Sequence, residues 1–450
     1  MSSLYPSTKL SYPAEAFQYA SSSPPEILNV IFNHLTLASP AGDLGLDLIS
    51  CSLVCLSWHH VAIGMLPASA HKVNLAIPRF YSLNDVERLK DLVCETRRLR
   101  LNTFDHVRGM RFYLPQLFRP NSGRRQMHRS VAFDVGRGQL VMTRLLKSLG
   151  GNLNALAFDY DSFDYNYSNM PFYDQELSPS LVRHCWNVSR LELNGMDRNS
   201  VRSATPPIAP IVAELRDVLQ SVRLDGVGIN RSLINALQQC QHITEAQFTG
   251  DPGIISQSLV DLASSWRNLE ILHVSILTVY SDTASDFLPV IAESCPRLHT
   301  MEFSNNLIPL FHPSDHSLEI LLRKCKQLRH LALGFSVNIT GLSLANAFLH
   351  GASLVHLSLG NCPNLSVVPV DEAQICAPCL KTIDLVGCTE LSLPVVEPMV
   401  RACPSLERVT LPDDVRDLED VSEALRLRGF EFMGDEDVKL WVWARVVLEM

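Results

Sequence analysis

Nine short blocks from Leu191 onward share one pattern of apolar and polar positions. They are Leu191-Glu-Leu193, Val222-Arg-Leu224, Ala246-Gln-Phe248, Leu272-His-Val274, Met301-Glu-Phe303, Leu331-Ala-Leu333, Leu357-Ser-Leu359, Ile383-Asp-Leu385 and Val409-Thr-Leu411, with starts 31, 24, 26, 29, 30, 26, 26 and 26 residues apart. Both outer positions are apolar in all nine. The residue before each block (Arg190, Ser221, Glu245, Ile271, Thr300, His330, His356, Thr382, Arg408) and the middle residue are polar or small in every case but Ile271. Alternation of period two predicts a strand with one buried and one wet face. A strand this short cannot bury its apolar side alone, but stacked copies can. The pattern therefore predicts parallel strands laid side by side, with the polar columns along one open, concave face.

The spacer sequences supply the other half of each unit. Cys185, Cys240, Cys295, Cys325 and Cys403 lie six residues before their blocks; Arg216, Trp266, Gly351 and Ala377 take that place elsewhere, Arg216 being the sharpest departure. Apolar pairs further upstream, Leu259/Leu262, Leu288/Ile291, Leu318/Leu321 and Val396/Met399, have helical spacing. After two of the strands the turn carries Cys362 or Cys388, and after a third Asn306, small groups able to satisfy turn backbone. Each unit reads as helix, cysteine or substitute, strand, turn, with a period of 24 to 31 residues. This resembles the cysteine-containing subclass of leucine-rich repeats, an α/β solenoid. Four earlier triplets, Val73-Asn-Leu75, Leu99-Arg-Leu101, Val131-Ala-Phe133 and Leu156-Ala-Phe158, extend the array upstream, with Cys94 near the phased position before Leu99. Phe430-Glu-Phe432 reads as a last, shortened unit, and the apolar segment from Val438 to Leu448 as a cap over the end of the stack.

Composition fits this picture. A solenoid grows by adding repeats, so 450 residues need no single large core, and 46% of them are hydrophobic. No run of 18 or more apolar residues predicts a membrane span, and the N-terminus lacks a signal-peptide pattern. Twelve cysteines, mostly in phase with the repeats, read as reduced buried thiols of a cytoplasmic or nuclear protein. Cys376 and Cys379 form a close pair with no second pair beside it, so a zinc site is not expected there. Residues 1–22 are rich in Ser, Tyr and Pro and read as disordered; 23–66 form a small helical domain, 67–437 the solenoid and 438–450 the cap.

The helical domain carries the second informative pattern. Pro24 and Pro25 suit a helix start, with Glu26 in the first turn. Ile27, Leu28, Ile31, Phe32 and Leu35 form an apolar stripe, and a second helix carries Leu48, Leu53, Val54, Trp58 and Val61. Helices of this size leave apolar surface for a partner. The blocks from Pro24 to Leu35 and from Ser52 to Trp58 resemble the F-box family, departing from its pattern at Ser23, where a Leu is usual, and in a longer connection between the blocks. The resemblance implies docking onto the Skp-type adaptor of a cullin–RING ubiquitin ligase through Pro25, Ile27, Leu28, Ile31, Phe32, Leu35, Leu53, Val54 and Trp58. It implies a substrate receptor: the F-box holds the ligase, the repeats hold a target protein, and ubiquitination and proteasomal degradation follow. The alternative reading is a ligase-independent protein-binding scaffold whose N-terminal helices only cap the solenoid. Both are non-catalytic. No phosphate-binding loop, dinucleotide fingerprint, zinc-protease motif or nucleophile elbow occurs, and no cofactor is expected.

Candidate target-binding residues come from the open-face columns and from one insertion. The columns contribute Arg190, Glu192, Arg223, His273, Glu302, His330, His356, Asp384 and Arg408, with His330 and His356 expected side by side on neighbouring strands about 4.8 Å apart. The aromatic, acidic insertion from Asp159 to Asp174 contributes Tyr165, Tyr167 and Tyr173. The stretch from Arg97 to Arg129 holds nine arginines against one acid, Asp105. It reads either as solvated surface or as a site for an acidic or phosphorylated segment. A net charge of −9 disfavours nucleic acid as a partner.

Overall fold

The computed structural model describes residues 26–28, 30, 79–80, 83–98, 108–113, 130–160, 178–195, 208–227, 229–250, 256–276, 286–305, 313–366, 377–391, 393–412, 418–433 and 440–445. The chain divides into two compact units. The first comprises residues 1–159 with 183–187, the second residues 160–182 with 188–450.

In the first unit β1 (Arg79–Phe80), β2 (Gly109–Tyr113) and β3 (Ala155–Tyr160) run parallel, with Phe80, Phe112 and Phe158 in one register column. The Phe112 and Phe158 rings stack at 5.7 Å. Helices Leu83–Arg98 and Ser130–Leu149 pack together. Only the last of the four upstream triplets is a described strand. Val131-Ala-Phe133, expected to be extended, lies inside the helix Ser130–Leu149. A single three-residue block is too short to fix a period, and the buried series Val141, Met142, Leu145, Leu146 and Leu149 downstream sets the helical one. Cys94, expected in the buried cysteine column, lies in the helix Leu83–Arg98 and is exposed. The triplets at Val73 and Leu99 lie outside the described residues.

The second unit begins with nine parallel strands in chain order: β4 (Arg190–Gly195), β5 (Ser221–Asp225), β6 (Glu245–Gly250), β7 (Ile271–Ile276), β8 (Thr300–Asn305), β9 (His330–Leu333), β10 (His356–Ser358), β11 (Thr382–Asp384) and β12 (Arg408–Pro412). Their register pairs the columns read from the sequence position by position, from Arg190 opposite Ser221 to Thr382 opposite Arg408. All eighteen outer triplet residues are buried. This is a leucine-rich repeat solenoid.

Three devices hold neighbouring repeats in phase. One carbonyl at each strand entrance accepts two successive amides of the next repeat. Ser189 O takes the amides of Gln220 and Ser221 at 2.7 and 2.9 Å, and Lys381 O those of Glu407 and Arg408 at 2.7 and 2.9 Å. A second column, three residues before each triplet, is buried throughout: Val188, Leu219, Ile243, Leu269, Leu298, Leu328, Leu354, Leu380 and Leu406. The cysteine column is the third. Cys295 Sγ donates to Trp266 O at 3.4 Å, and Cys325 Sγ to Cys295 O at 3.5 Å. Trp266, standing where others have Cys, does the same with its indole, donating to Leu237 O at 3.0 Å. Gly351 is needed in that column, because a Cβ there would sit 2.4 Å from Ala347 O. Arg216 points to solvent while its neighbour Leu215 is buried, so the core place is filled one residue early. The turn thiols act as expected, with Cys388 Sγ donating to Leu359 O at 3.0 Å; Asn306 lies outside the described residues.

The end of the sheet departs from simple stacking. β14 (Leu440–Arg445), not β13 (Phe430–Phe432), adds to β12, and it runs antiparallel to both. Trp443 at its centre is buried, with Phe432 edge-on at 5.6 Å and the Arg426 guanidinium 5.8 Å from the ring centroid. Among the described residues no helix is long and apolar enough to cross a membrane.

Candidate binding surface on the open sheet face

Strand alternation drives the outer triplet residues into the core and leaves two polar columns, the middle triplet residues and those before each triplet, on the opposite face of the second unit. Because the register is unbroken from β4 to β12, residues far apart in sequence become neighbours in predictable order. Arg190, Glu192, Arg223, His273, Glu302, His330, His356, Asp384 and Arg408 all lie on this surface.

At one end Arg190 and Glu192, on the same strand, form an ion pair with Nη2 2.6 Å and Nε 2.8 Å from Oε1. Glu192 is buried, so its charge needs this partner. On the next strands Ser221 Oγ donates to Glu245 at 3.1 Å, and Thr249 Oγ1 to Asp225 at 2.6 Å.

The middle of the face is a run of imidazoles and carboxylates. His273 Nδ1 donates to Glu302 Oε2 at 2.8 Å; a carboxylate only accepts, so this nitrogen carries the proton. That hydrogen bond holds the Glu302 carboxyl below its usual range against the opposing effect of burial, with smaller help from the nearby His273, His356 and His330. His330 and His356 are register partners, with ring centroids 6.2 Å apart and planes tilted by 34°. Burial pushes His356 below the ordinary histidine value; His330 and Arg408 push the same way, and Asp384 and Glu302 oppose them. His356 Nδ1 shares a short hydrogen bond with Thr382 Oγ1, and Ser358 Oγ donates to Asp384 at 3.3 Å. Among the described residues no group of three or more His, Cys, Asp or Glu is placed to hold a metal ion.

The other candidates are placed differently. Tyr165, Tyr167 and Tyr173 lie outside the described residues, as do Pro25, Ile31, Phe32, Leu35, Leu53, Val54 and Trp58 of the adaptor set. Ile27 and Leu28 are helical; Leu28 is fully buried and Ile27 is 53% exposed. Within the arginine-rich stretch, Arg97, Arg108 and Arg111 have structural partners inside the first unit. Arg97 donates to Ser148 O, at the carbonyl-rich end of the helix Ser130–Leu149, and Arg108 to Asn152 O at 3.1 Å, in the 3-10 turn Gly150–Asn152 that follows it, while Arg111 lies 3.6 Å from Asp159.

Sequence reasoning passed over Gln247. It lies in the middle column between Arg223 and His273, and its uncharged side chain drew no notice. Its register position beside an arginine is the signal that marks it.

No family model matches the chain, and no curated protein matches it. Among solved structures it is similar to a chain of the Rad7 and Elc1 complex from yeast, at 14% identity over 87% of each chain with a TM-score of 0.47. It is also similar to a leucine-rich repeat protein of Leptospira interrogans, at 13% identity over 69% of this chain and 74% of that one, with a TM-score of 0.33.

Proposed function

We propose that this chain is the substrate-recognition subunit of a cullin–RING ubiquitin ligase of the Skp–cullin–F-box type. The observation that carries the reading is the coupling of two elements in one chain: the F-box-like blocks at residues 24–35 and 52–58, and a repeat sheet whose open face is lined with polar side chains. The half-exposed Ile27 beside a buried Leu28 supports a helical stripe that keeps apolar surface available to an adaptor. In this reading the N-terminal helices dock a Skp-type adaptor and the sheet face holds a target protein. The chain then contributes no chemistry of its own. It raises the effective concentration of a target lysine at the ubiquitin thioester carried by the ligase, which acts in the cytoplasm or nucleus.

Co-expression with a Skp-type adaptor followed by size-exclusion chromatography tests the reading, beside a variant carrying Ile31→Ala and Phe32→Ala. A one-to-one complex that the variant loses is the expected result. A soluble monomer that ignores the adaptor refutes it, and leaves the ligase-independent scaffold.

A further inference from the structure

Along the middle column of the open face, the side chains fall into pairs that are already committed and one stretch that is not. Glu192 is held by Arg190, and His273 is held by Glu302. Between them stand Arg223 and Gln247, adjacent in register on β5 and β6. The carboxylates of the same strands are engaged elsewhere, Glu245 by Ser221 and Asp225 by Thr249. Arg223 Nε is shut off from solvent and has no hydrogen-bond acceptor among the described residues. The Gln247 amide likewise has no hydrogen-bond partner among them. Both side chains are partly buried and border the open face.

The Arg223 guanidinium has no protein acceptor among the described residues to compensate it, and an oxyanion arriving on the open face supplies one through the Nη groups, Nε itself being shielded from a ligand. The guanidinium presents its donors in a planar fork that matches carboxylate or phosphate oxygens. The neighbouring amide adds two donors about 4.8 Å along the sheet, one strand spacing away. We infer that Arg223 and Gln247 form a docking notch for an oxyanion, a carboxylate or phosphate group, carried by an extended segment of the target protein. The inference deepens the receptor reading and rests on its claim that the target docks on this sheet face. The flanking committed pairs, Arg190–Glu192 and His273–Glu302, limit the notch to one such group. A second anion moved along the column in either direction would meet a carboxylate.

Arrays of short random peptides, each synthesised unmodified and with phosphoserine at the serines, probed with the purified full chain, test this directly. Selected peptides are then titrated by fluorescence polarisation against wild type, Arg223→Met, Arg223→Lys and Gln247→Ala. Arg223→Met keeps the apolar stem and removes the fork, so the fold is retained and binding falls about ten- to a hundred-fold. Arg223→Lys restores only part of the loss, since an ammonium is a point charge. The two arms of the array distinguish carboxylate from phosphate as the source of the oxyanion. Replacing the peptide's Glu by Gln, or its phosphoserine by serine, must cause a similar loss without touching the protein. Peptides selected without regard to anionic groups, binding unmoved by Arg223→Met, or no selected peptide at all would each overturn the inference. Adaptor binding is scored on the same preparations. A chain that binds the adaptor but shows no anion selection refutes the notch alone, and one that selects anionic peptides but ignores the adaptor refutes the ligase reading alone.

Discussion

Replacing Trp266 separates two contributions that the repeat architecture combines at one position. The indole is 1% exposed, stacks on Phe248 at 6.3 Å, and donates from Nε1 to Leu237 O of the preceding repeat at 3.0 Å. Trp266→Ala removes the ring and leaves a cavity between two repeats, which costs about 3–5 kcal/mol. Trp266→Phe keeps most of the ring and removes the donor. Leu237 O also accepts the Cys240 amide at 3.0 Å, so that carbonyl is not stranded, and the loss is about 1 kcal/mol for the hydrogen bond plus a smaller packing loss. Phe should therefore fall well short of Ala. Urea unfolding followed by far-ultraviolet circular dichroism measures both, and the slope of the transition shows whether the array still unfolds as one unit. If Trp266→Ala costs less than about 1 kcal/mol, the column is not a core anchor between repeats. If Phe costs as much as Ala, the hydrogen bond and not the buried ring carries the site.

Other consequences follow from the same packing. Asp315 accepts from the Thr340 amide at 2.9 Å, from Thr340 Oγ1 at 2.7 Å and from Ser343 Oγ, tying one repeat to the next; Asp315→Ala should cost about 2 kcal/mol in urea unfolding, and Asp315→Asn less. His356 takes up a proton less readily folded than unfolded, so the stability it contributes is fully present above the unfolded value near 6.5 and is lost as pH falls through the lower folded value. His356→Gln should flatten the fall in stability on acidification across that window; an unchanged slope in unfolding midpoint against pH would refute this. Burial pushes the thiols of Cys185, Cys240, Cys295, Cys325 and Cys388 up to about 12, and that of Cys362 to about 11. Iodoacetamide followed by peptide mass spectrometry should label the exposed Cys94 and Cys379 in the native protein, and these six only after unfolding.

The second unit was legible from sequence because each strand advertises itself by strict alternation and each copy confirms the phase of the others. The register of nine strands follows from that alone. Where copies are irregular, the signal thins. The two-residue β1 is too short to show alternation, and β2 was missed although Met110-Arg-Phe112 has the triplet form. Val131-Ala-Phe133 shows the converse, a triplet inside a helix. Arg216 breaks the cysteine phase in the sequence, but the fold absorbs the break by burying Leu215 instead. The candidate surface divides in the same way. Which residues share the open face could be read from their columns. That Glu192, Glu245 and Asp225 are already engaged, leaving Arg223 and Gln247 uncommitted, depends on side-chain geometry that no spacing encodes.

The strand blocks of β9, β10, β11 and β12 begin at a constant interval of 26 residues, with matching core columns and a shared double-acceptor carbonyl at each strand entrance. That regularity makes this part of the sheet a ruler. Excising one whole period from it would bring like core positions back together and shift every later open-face side chain by one strand spacing, about 4.8 Å, toward the earlier ones. Distances between recognition groups on this face can thus change in discrete steps by gain or loss of a unit, with no redesign of the core that carries them.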